Sequence, residues 1–345
     1  MKLLRLALLP FSIVYGSVLW IRNKLYDWGI LPSKKVDIKT IIVGNLALGG
    51  TGKTPFIEYL IHLFPQRHIG VLSRGYGRKT TGTVFAEPHS TAEEIGDEPL
   101  QLVRKFPEIT LCVESNRLKG IDAIKAQNPE IEFIILDDAL QHRRLQGGFN
   151  VLLTTYQKPF FRDYYIPTGS LRDHKVRANH ADVIVVTKSP ANISNSERHR
   201  IESKIQYLKK PVFFSGIEYG KYESLSASKK LDSYTRYAAV SGIANPSLFI
   251  EKVSSEFILE KHFEFPDHHA FTERNIQEFR DFIGNFAGEN VAFLTTEKDA
   301  MRLIKYEKEL RSSGLHFFYL PLKVALGEKQ SGLERLLRNY IHGTR

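Results

Sequence analysis

The stretch Ile41 to Phe64, IIVGNLALGGTGKTPFIEYLIHLF, constrains this chain more than any other. Three β-branched residues, Ile41, Ile42 and Val43, read as the end of a strand. A glycine-rich run follows, with Gly44, Gly49, Gly50 and Gly52. Lys53 and Thr54 then open a segment whose apolar residues Phe56, Ile57, Leu60, Ile61 and Phe64 recur at helical spacing. Pro55 is tolerated there because the first helical turn has no intrahelical donor to lose. Strand, flexible turn and helix in that order form a cradle. Backbone N–H groups converge on anionic oxygens at the positive end of the helix. The pattern predicts a nucleoside triphosphate held by Ala47, Leu48, Gly49, Gly50, Thr51, Gly52, Lys53 and Thr54. Lys53 would reach the β/γ-phosphates, and the Thr54 hydroxyl would ligate Mg²⁺. Ala47 replaces a glycine of the strict pattern, and Leu48 stands where partition-type ATPases carry a lysine. The site is therefore expected outside that subclass.

Other segments deliver charge to the same sheet edge. IEFIILDD is an apolar run ending in Asp137 and Asp138, carboxylates suited to Mg²⁺ beside the phosphates. HIGVLSR is a second expected strand, and it leads to the cationic loop Arg74, Gly75, Gly77, Arg78, Lys79. Ligands of open α/β sheets bind at the C-terminal ends of strands. Gly96 and Asp97 precede an amphipathic run, where Asp97 reads equally well as a helix cap. A third strand over Ile109–Val113 leads to Arg117, and IPTGSLRD forms a proline-glycine loop able to close over a nucleotide.

The N-terminus differs from the rest. Leu6 to Ile21 carries no charge and is flanked by Lys2, Arg5, Arg22 and Lys24. About 16 helical residues span roughly 24 Å, short of the roughly 30 Å hydrocarbon core. Pro10 is expected to kink such a helix. Tyr15, Trp20, Tyr26 and Trp28 favour a headgroup zone. A membrane-associated helix over residues 1–30 is the expectation, ahead of a buried helix or a cleaved leader. The net charge of +10 suits a polyanionic partner, although no aromatic-basic RNA motif appears, so nucleic acid is not expected. The single cysteine, Cys112, excludes a disulfide framework.

Composition shifts near 217–235, and a second α/β pattern follows over 236–345. Phe265-Pro266-Asp267-His268-His269 reads as a metal cluster or a general acid/base pair. Thr296-Glu297-Lys298-Asp299 reads as a helix cap at least as well as a functional motif. The expected architecture is α/β: a P-loop NTPase-type α/β/α sandwich at 31–216, a linker, and a smaller α/β domain.

Taken in order, GNLALGGTGKTP, SRGYGR, GDEP, LDDALQH, PTGSLRD, VVTK, SGIANP, FPDHH and TEKDAMRL resemble the tetraacyldisaccharide 4′-kinase family, the lipid A 4′-kinases of Gram-negative inner membranes. The resemblance implies ATP and Mg²⁺ as cofactors and phosphorylation of the 4′-hydroxyl of tetraacyldisaccharide 1-phosphate. It implies attachment to the cytoplasmic face of the inner membrane, with no obligate protein partner evident. It makes Asp97 the base, tuned by His268, with Lys53 as the catalytic cation and Asp173 as a further Mg²⁺ ligand beside Thr54, Asp137 and Asp138. Arg74, Arg78 and Arg117 would engage phosphates. Two departures from the family pattern are Ala139-Leu140 in place of Gly-Phe and Asp173 in place of glutamate. Two other classes compete: a membrane-tethered nucleotide switch or chaperone, and a metallophosphoesterase using Asp267, His268 and His269. The first leaves the downstream motifs without a role, and the second leaves the P-loop without one.

Overall fold

The computed structural model describes residues 7–227, 230–286, 290–327 and 330–343. Its larger sheet has nine strands. In spatial order they are Leu322–Leu326, Val212–Tyr219, Val183–Thr187, Phe149–Thr155, Lys39–Asn45, Phe133–Asp137, Ile69–Ser73, Thr110–Val113 and Val84–Phe85. All neighbours pair in parallel except at the two edges. A parallel sheet must be covered on both faces. Ile41 and Val43 accordingly face Phe56, Ile57 and Leu60 of the helix Lys53–Leu63. Ile42 between them faces the other way, into a cluster with Ile121 and Ile124 of the helix Arg117–Gln127.

A second sheet runs Glu223–Ser224, His316–Leu320, Val291–Thr296, Arg236–Ser241 and Leu259–Glu264. Its buried side chains, among them Val240, Phe293 and Phe317, join those of the first sheet in one continuous apolar cluster. The helices Asp97–Lys105 and Glu297–Leu303 meet across this joint.

Three expectations need correction. The end of the chain does not stay with the second unit. Beyond Pro321, Leu322–Leu326 pairs antiparallel with Val212–Tyr219 and closes the edge of the first sheet. The helix Gln330–His342 follows it there, burying Leu333, Leu337 and Ile341, while Lys39 Nζ donates to the Ile341 carbonyl. The stretch 217–235 is likewise more than a linker, since Glu223–Ser224 adds a strand to the second sheet. Pro10 also does not kink the N-terminal helix. That helix runs Leu9–Asp27, which puts the proline in the first turn, where its missing N–H costs nothing.

No described helix is long and apolar enough to cross a membrane. The Leu9–Asp27 helix nonetheless has its polarity inverted. Ser12, Gly16 and Asn23 are buried against the protein, while Phe11, Val14 and Val18 are 65%, 64% and 59% exposed.

Candidate functional site

The P-loop turn leaves the strand Lys39–Asn45 and enters its helix through Gly52, whose φ of +83° is left-handed and favours glycine. Three neighbours fix the turn. Asn45 Nδ2 donates to Thr51 Oγ1 at 2.7 Å, Thr187 Oγ1 donates to the Thr51 carbonyl at 2.8 Å, and Leu48 N donates to the Ser170 carbonyl at 2.7 Å. Lys53 and Thr54 thus stand at the start of the helix with the turn's amides before them. Lys53 Nζ lies 3.9 Å from Asp138 Oδ1.

Asp137 and Asp138 end the neighbouring strand, as the sequence suggested, but they differ in setting. Asp138, at φ +51°, turns out of the strand. It receives both terminal nitrogens of Arg172, one of them at 2.8 Å from its Oδ2. Asp137 is buried. Ser73 Oγ donates to its Oδ2 at 2.9 Å, and its Oδ1 has no hydrogen-bond partner. Burial, reinforced by the Glu98 carboxylate, pushes Asp137 up to about 6. An acceptor left bare among carboxylates suits a cation. Among the described residues no cluster of three or more His, Cys, Asp or Glu could hold a metal by itself. Mg²⁺ does not need one, because it commonly takes one or two carboxylates plus waters and substrate phosphates.

Asp97 and His268 meet across the joint between the sheets. Asp97 is the first residue of its helix, and the N-cap position belongs to Gly96, so Asp97 is not a cap. His268 Nδ1 lies 3.3 Å from Asp97 Oδ2. The same carboxylate oxygen accepts from Arg302 Nη2, and Arg302 Nη1 donates to Asp299 Oδ1 at 2.7 Å and to the Gly242 carbonyl at 2.9 Å. Burial works against ionisation of Asp97. The His268 ring and the Arg302 guanidinium outweigh it and hold the carboxyl well below the usual range. The bond to Asp97 raises His268 above its ordinary value in spite of partial burial. A proton on Nδ1 points to Asp97, and Arg302 Nη2, 3.1 Å from that nitrogen, then donates to the Asp97 carboxylate and not to the ring. Beside them Glu98 receives Lys298 Nζ, and exposed Tyr76 sets its ring edge-on to His268 at 5.4 Å.

Some expected residues lie elsewhere. Asp173 is buried with the N-terminal helix: its Oδ1 accepts from His174 N at 2.7 Å and from Asn23 Nδ2 at 3.3 Å. Its hydrogen bonds and ion pair go to Asn23, the His174 amide and Arg177, whereas Arg172, one residue earlier, binds Asp138. Arg117 is buried and donates to the carbonyls of Glu114 and Asp137, both at 2.7 Å. A buried guanidinium needs such partners, and here it braces the strand end. Arg78 likewise donates to the carbonyls of Val113 and Gly82, while Arg74 is exposed. The two histidines of FPDHH separate: His269 stacks on Phe265 at 4.5 Å and bonds to Asn275. Thr296 is a cap, accepting from Asp299 N at 3.2 Å.

Two functional candidates had weaker sequence signals. Arg302 lies one helical turn past Asp299 in TEKDAMRL. Lys188, the last residue of VVTK, has φ +55° and puts its Nζ 4.0 Å from where a Cβ on Gly50 would stand.

A family model described as Tetraacyldisaccharide-1-P 4′-kinase matches residues 4–342. A tetraacyldisaccharide 4′-kinase of Flavobacterium psychrophilum is 41% identical over 100% of this chain and 99% of its own length. That of Bacteroides thetaiotaomicron is 39% identical over 94% and 89%. A crystal structure of LpxK from Aquifex aeolicus in complex with ATP superposes with a TM-score of 0.76 at 29% identity, covering 98% of this chain and 99% of that one. With its P-loop, paired aspartates and the Asp97–His268 contact in this arrangement, the chain belongs to the tetraacyldisaccharide 4′-kinase family.

Proposed function

We propose that this chain transfers the γ-phosphoryl group of ATP to the 4′-hydroxyl of tetraacyldisaccharide 1-phosphate, a step of lipid A biosynthesis, with Asp97 as the acceptor-side base. The observation that carries the reading is that two charge systems lie within electrostatic reach of one another, since Glu98, beside Asp97, interacts with both Lys53 and Asp137. The P-loop offers Lys53 beside Asp138, and the joint between the sheets offers Asp97 held by His268 and Arg302.

Phosphoryl transfer asks little covalent chemistry of a protein; positioning and charge neutralisation dominate. The amides of residues 47–54 cradle the phosphates, and Lys53 and Lys188 face the developing negative charge. Asp137, Asp138 and the Thr54 hydroxyl would hold Mg²⁺, with Asp173 outside that set. Bound there, the ion neutralises charge on the phosphate oxygens. Asp97 accepts a hydrogen bond from the attacking hydroxyl and then its proton. His268 and Arg302 keep the carboxylate ionised and aimed. A positioned base contributes about 10²–10⁴-fold when its pKa lies near the working pH; the pairing here holds Asp97 below that range, so it aims the hydroxyl more than it strengthens the base. Of the expected cations, Arg74 is the one left exposed to meet a substrate phosphate.

The inverted N-terminal helix supports residence on the cytoplasmic face of the inner membrane, where the acyl chains of the substrate lie. Its outward apolar residues enter the headgroup boundary, and Arg22 and Lys24 meet anionic lipid at about 1 kcal/mol each. Incubation with labelled ATP and the acceptor in detergent, followed by chromatography of the lipid, tests the activity. The expected result is one added phosphate on the 4′-oxygen. ATP hydrolysis with no lipid product would refute it.

A further inference from the structure

We infer that the N-terminal helix is a working part of the catalytic site's support, with Ser12 and Tyr15 acting as positioning residues for Arg172. The inference rests on the kinase reading above and goes beyond membrane attachment.

The helix touches the 163–173 loop through Ser12, Tyr15, Gly16 and Asn23 of its inner face. Ser12 Oγ lies 2.8 Å from Thr168 Oγ1 and 2.9 Å from the Tyr165 carbonyl, and it accepts from Thr168 N at 3.1 Å. One turn on, Gly16 lets the Tyr165 ring come so close that a Cβ there would sit 2.9 Å from it. Tyr15 OH donates to the Arg172 carbonyl at 3.0 Å. Two turns further, Asn23 Nδ2 reaches Asp173 Oδ1. These bonds bracket Arg172 on both sides along the chain.

Arg172 in turn holds the phosphate end of the site. Its backbone N donates to the Leu46 carbonyl at 2.9 Å, and its guanidinium binds both Asp138 oxygens and Asn45 Oδ1. Asn45 carries the P-loop Thr51, and Asp138 faces Lys53. A continuous chain of polar contacts therefore runs from the inner face of the helix to the catalytic lysine. The Arg172 Nε is buried without a partner, so Asp138 and Asn45 alone orient its fork. Small shifts of the loop backbone are then passed to the carboxylate. A helix needed only for attachment requires its apolar face, which Phe11, Val14 and Val18 already provide.

The test uses the full chain in detergent micelles with ATP and acceptor both saturating. Tyr15→Phe and Ser12→Val should lower kcat about 10- to 100-fold, as misplacement by about 1 Å does. KM for ATP should change less than about twofold, because the loop amides remain. Ser12→Thr should restore most of the loss, and Ser17→Ala, on the outer side, should match the parent. Co-sedimentation with vesicles of phosphatidylethanolamine and phosphatidylglycerol should be equal for all. Trypsin cleavage after Arg172, read by mass, should quicken in Tyr15→Phe and needs no turnover. Parent-like kcat and cleavage in Tyr15→Phe would overturn the inference, as would losses that track vesicle binding. If Ser12→Val does not fold, Tyr15→Phe decides. An inactive parent would instead count against the kinase reading, and the cleavage rates would still judge the coupling.

Discussion

Arg302 donates to the carboxylate of Asp97 from 205 positions further along the chain, and both side chains are almost wholly buried. The contact joins the helix Asp97–Lys105, beside the first sheet, to the helix Glu297–Leu303 of the second. It also leaves Asp97 ionised in a setting that otherwise disfavours charge. The proposed base is thus assembled only when the two sheets are packed together. The Lys298–Glu98 pair beside it and the Lys105 bridge between Glu58 and Glu297 cross the same joint.

Arg302→Met should therefore harm stability as well as rate. Removing one partner of a buried pair leaves the other charge unpaired, at a cost of about 3–5 kcal/mol. Arg302→Lys keeps the charge and loses the fork that spans Asp97, Asp299 and the Gly242 carbonyl. It is expected to fold and to show a reduced kcat. Urea melts and steady-state kinetics separate the two effects, and a fully active, fully stable Met variant would dismiss the positioning role.

Lys53→Ala should lose about 10²–10³-fold in kcat, the scale of one preorganised charge at a developing anion. Its folding stability should hold, because the nearest ionic partner, Asp138, keeps Arg172. Single-turnover transfer to the lipid is the measurement. Parent-like turnover would exclude this loop as the phosphate cradle.

Much of this was legible in the residues. The P-loop strand and helix, the strand ending at Asp137 and the alternating strands of the second half follow from apolar periodicity with glycine and proline at the ends. The strand expected over Ile109–Val113 is found over Thr110–Val113. What periodicity does not encode is partnership at a distance. Asp173 and Arg172 are adjacent, and nothing local says which one turns to the paired aspartates; the buried polar face of the N-terminal helix decides it. Leu322–Leu326 is a five-residue strand immediately past a proline, and its destination depends on an open edge supplied by Val212–Tyr219. The Asp97–His268 meeting was implied by family resemblance and by no spacing in the chain.

Asp173→Ala offers a direct check of that correction. Its carboxylate is enclosed with Asn23, the His174 amide and Arg177 at 3.9 Å. The variant should melt earlier, by the roughly 1–3 kcal/mol expected when buried partners are left unsatisfied. The Mg²⁺ concentration for half-maximal rate should stay at the parent value. A large rise in that concentration, with melting unchanged, would return Asp173 to the metal site.

Asp97 and His268 should behave as one unit. Asp97→Ala and His268→Ala are each expected to lower kcat far more than they raise KM for ATP, and the double variant should be little worse than the worse single. Losses that multiply would mean that the two side chains act separately.

The titration of this pair gives the last expectation. The Asp97 bond raises His268 above its ordinary value of 6.5. A raised histidine binds its proton more tightly folded than unfolded. Its contribution is fully present below the ordinary value and is lost as pH rises through the raised one. Asp97 is shifted the opposite way, so its contribution is present above the ordinary carboxylate range and fades only in strong acid. Between about pH 6 and pH 8 the histidine alone of the two changes charge. Glu297, pushed up to about 7 by burial and by Glu58, titrates in the same window, as does Asp137. Both are present in parent and variant and cancel in the comparison. The melting temperature of the parent should therefore fall more steeply from pH 6 to pH 8 than that of His268→Gln, which carries no titratable group there. Parallel curves would show that His268 is not held charged by Asp97 in the folded protein.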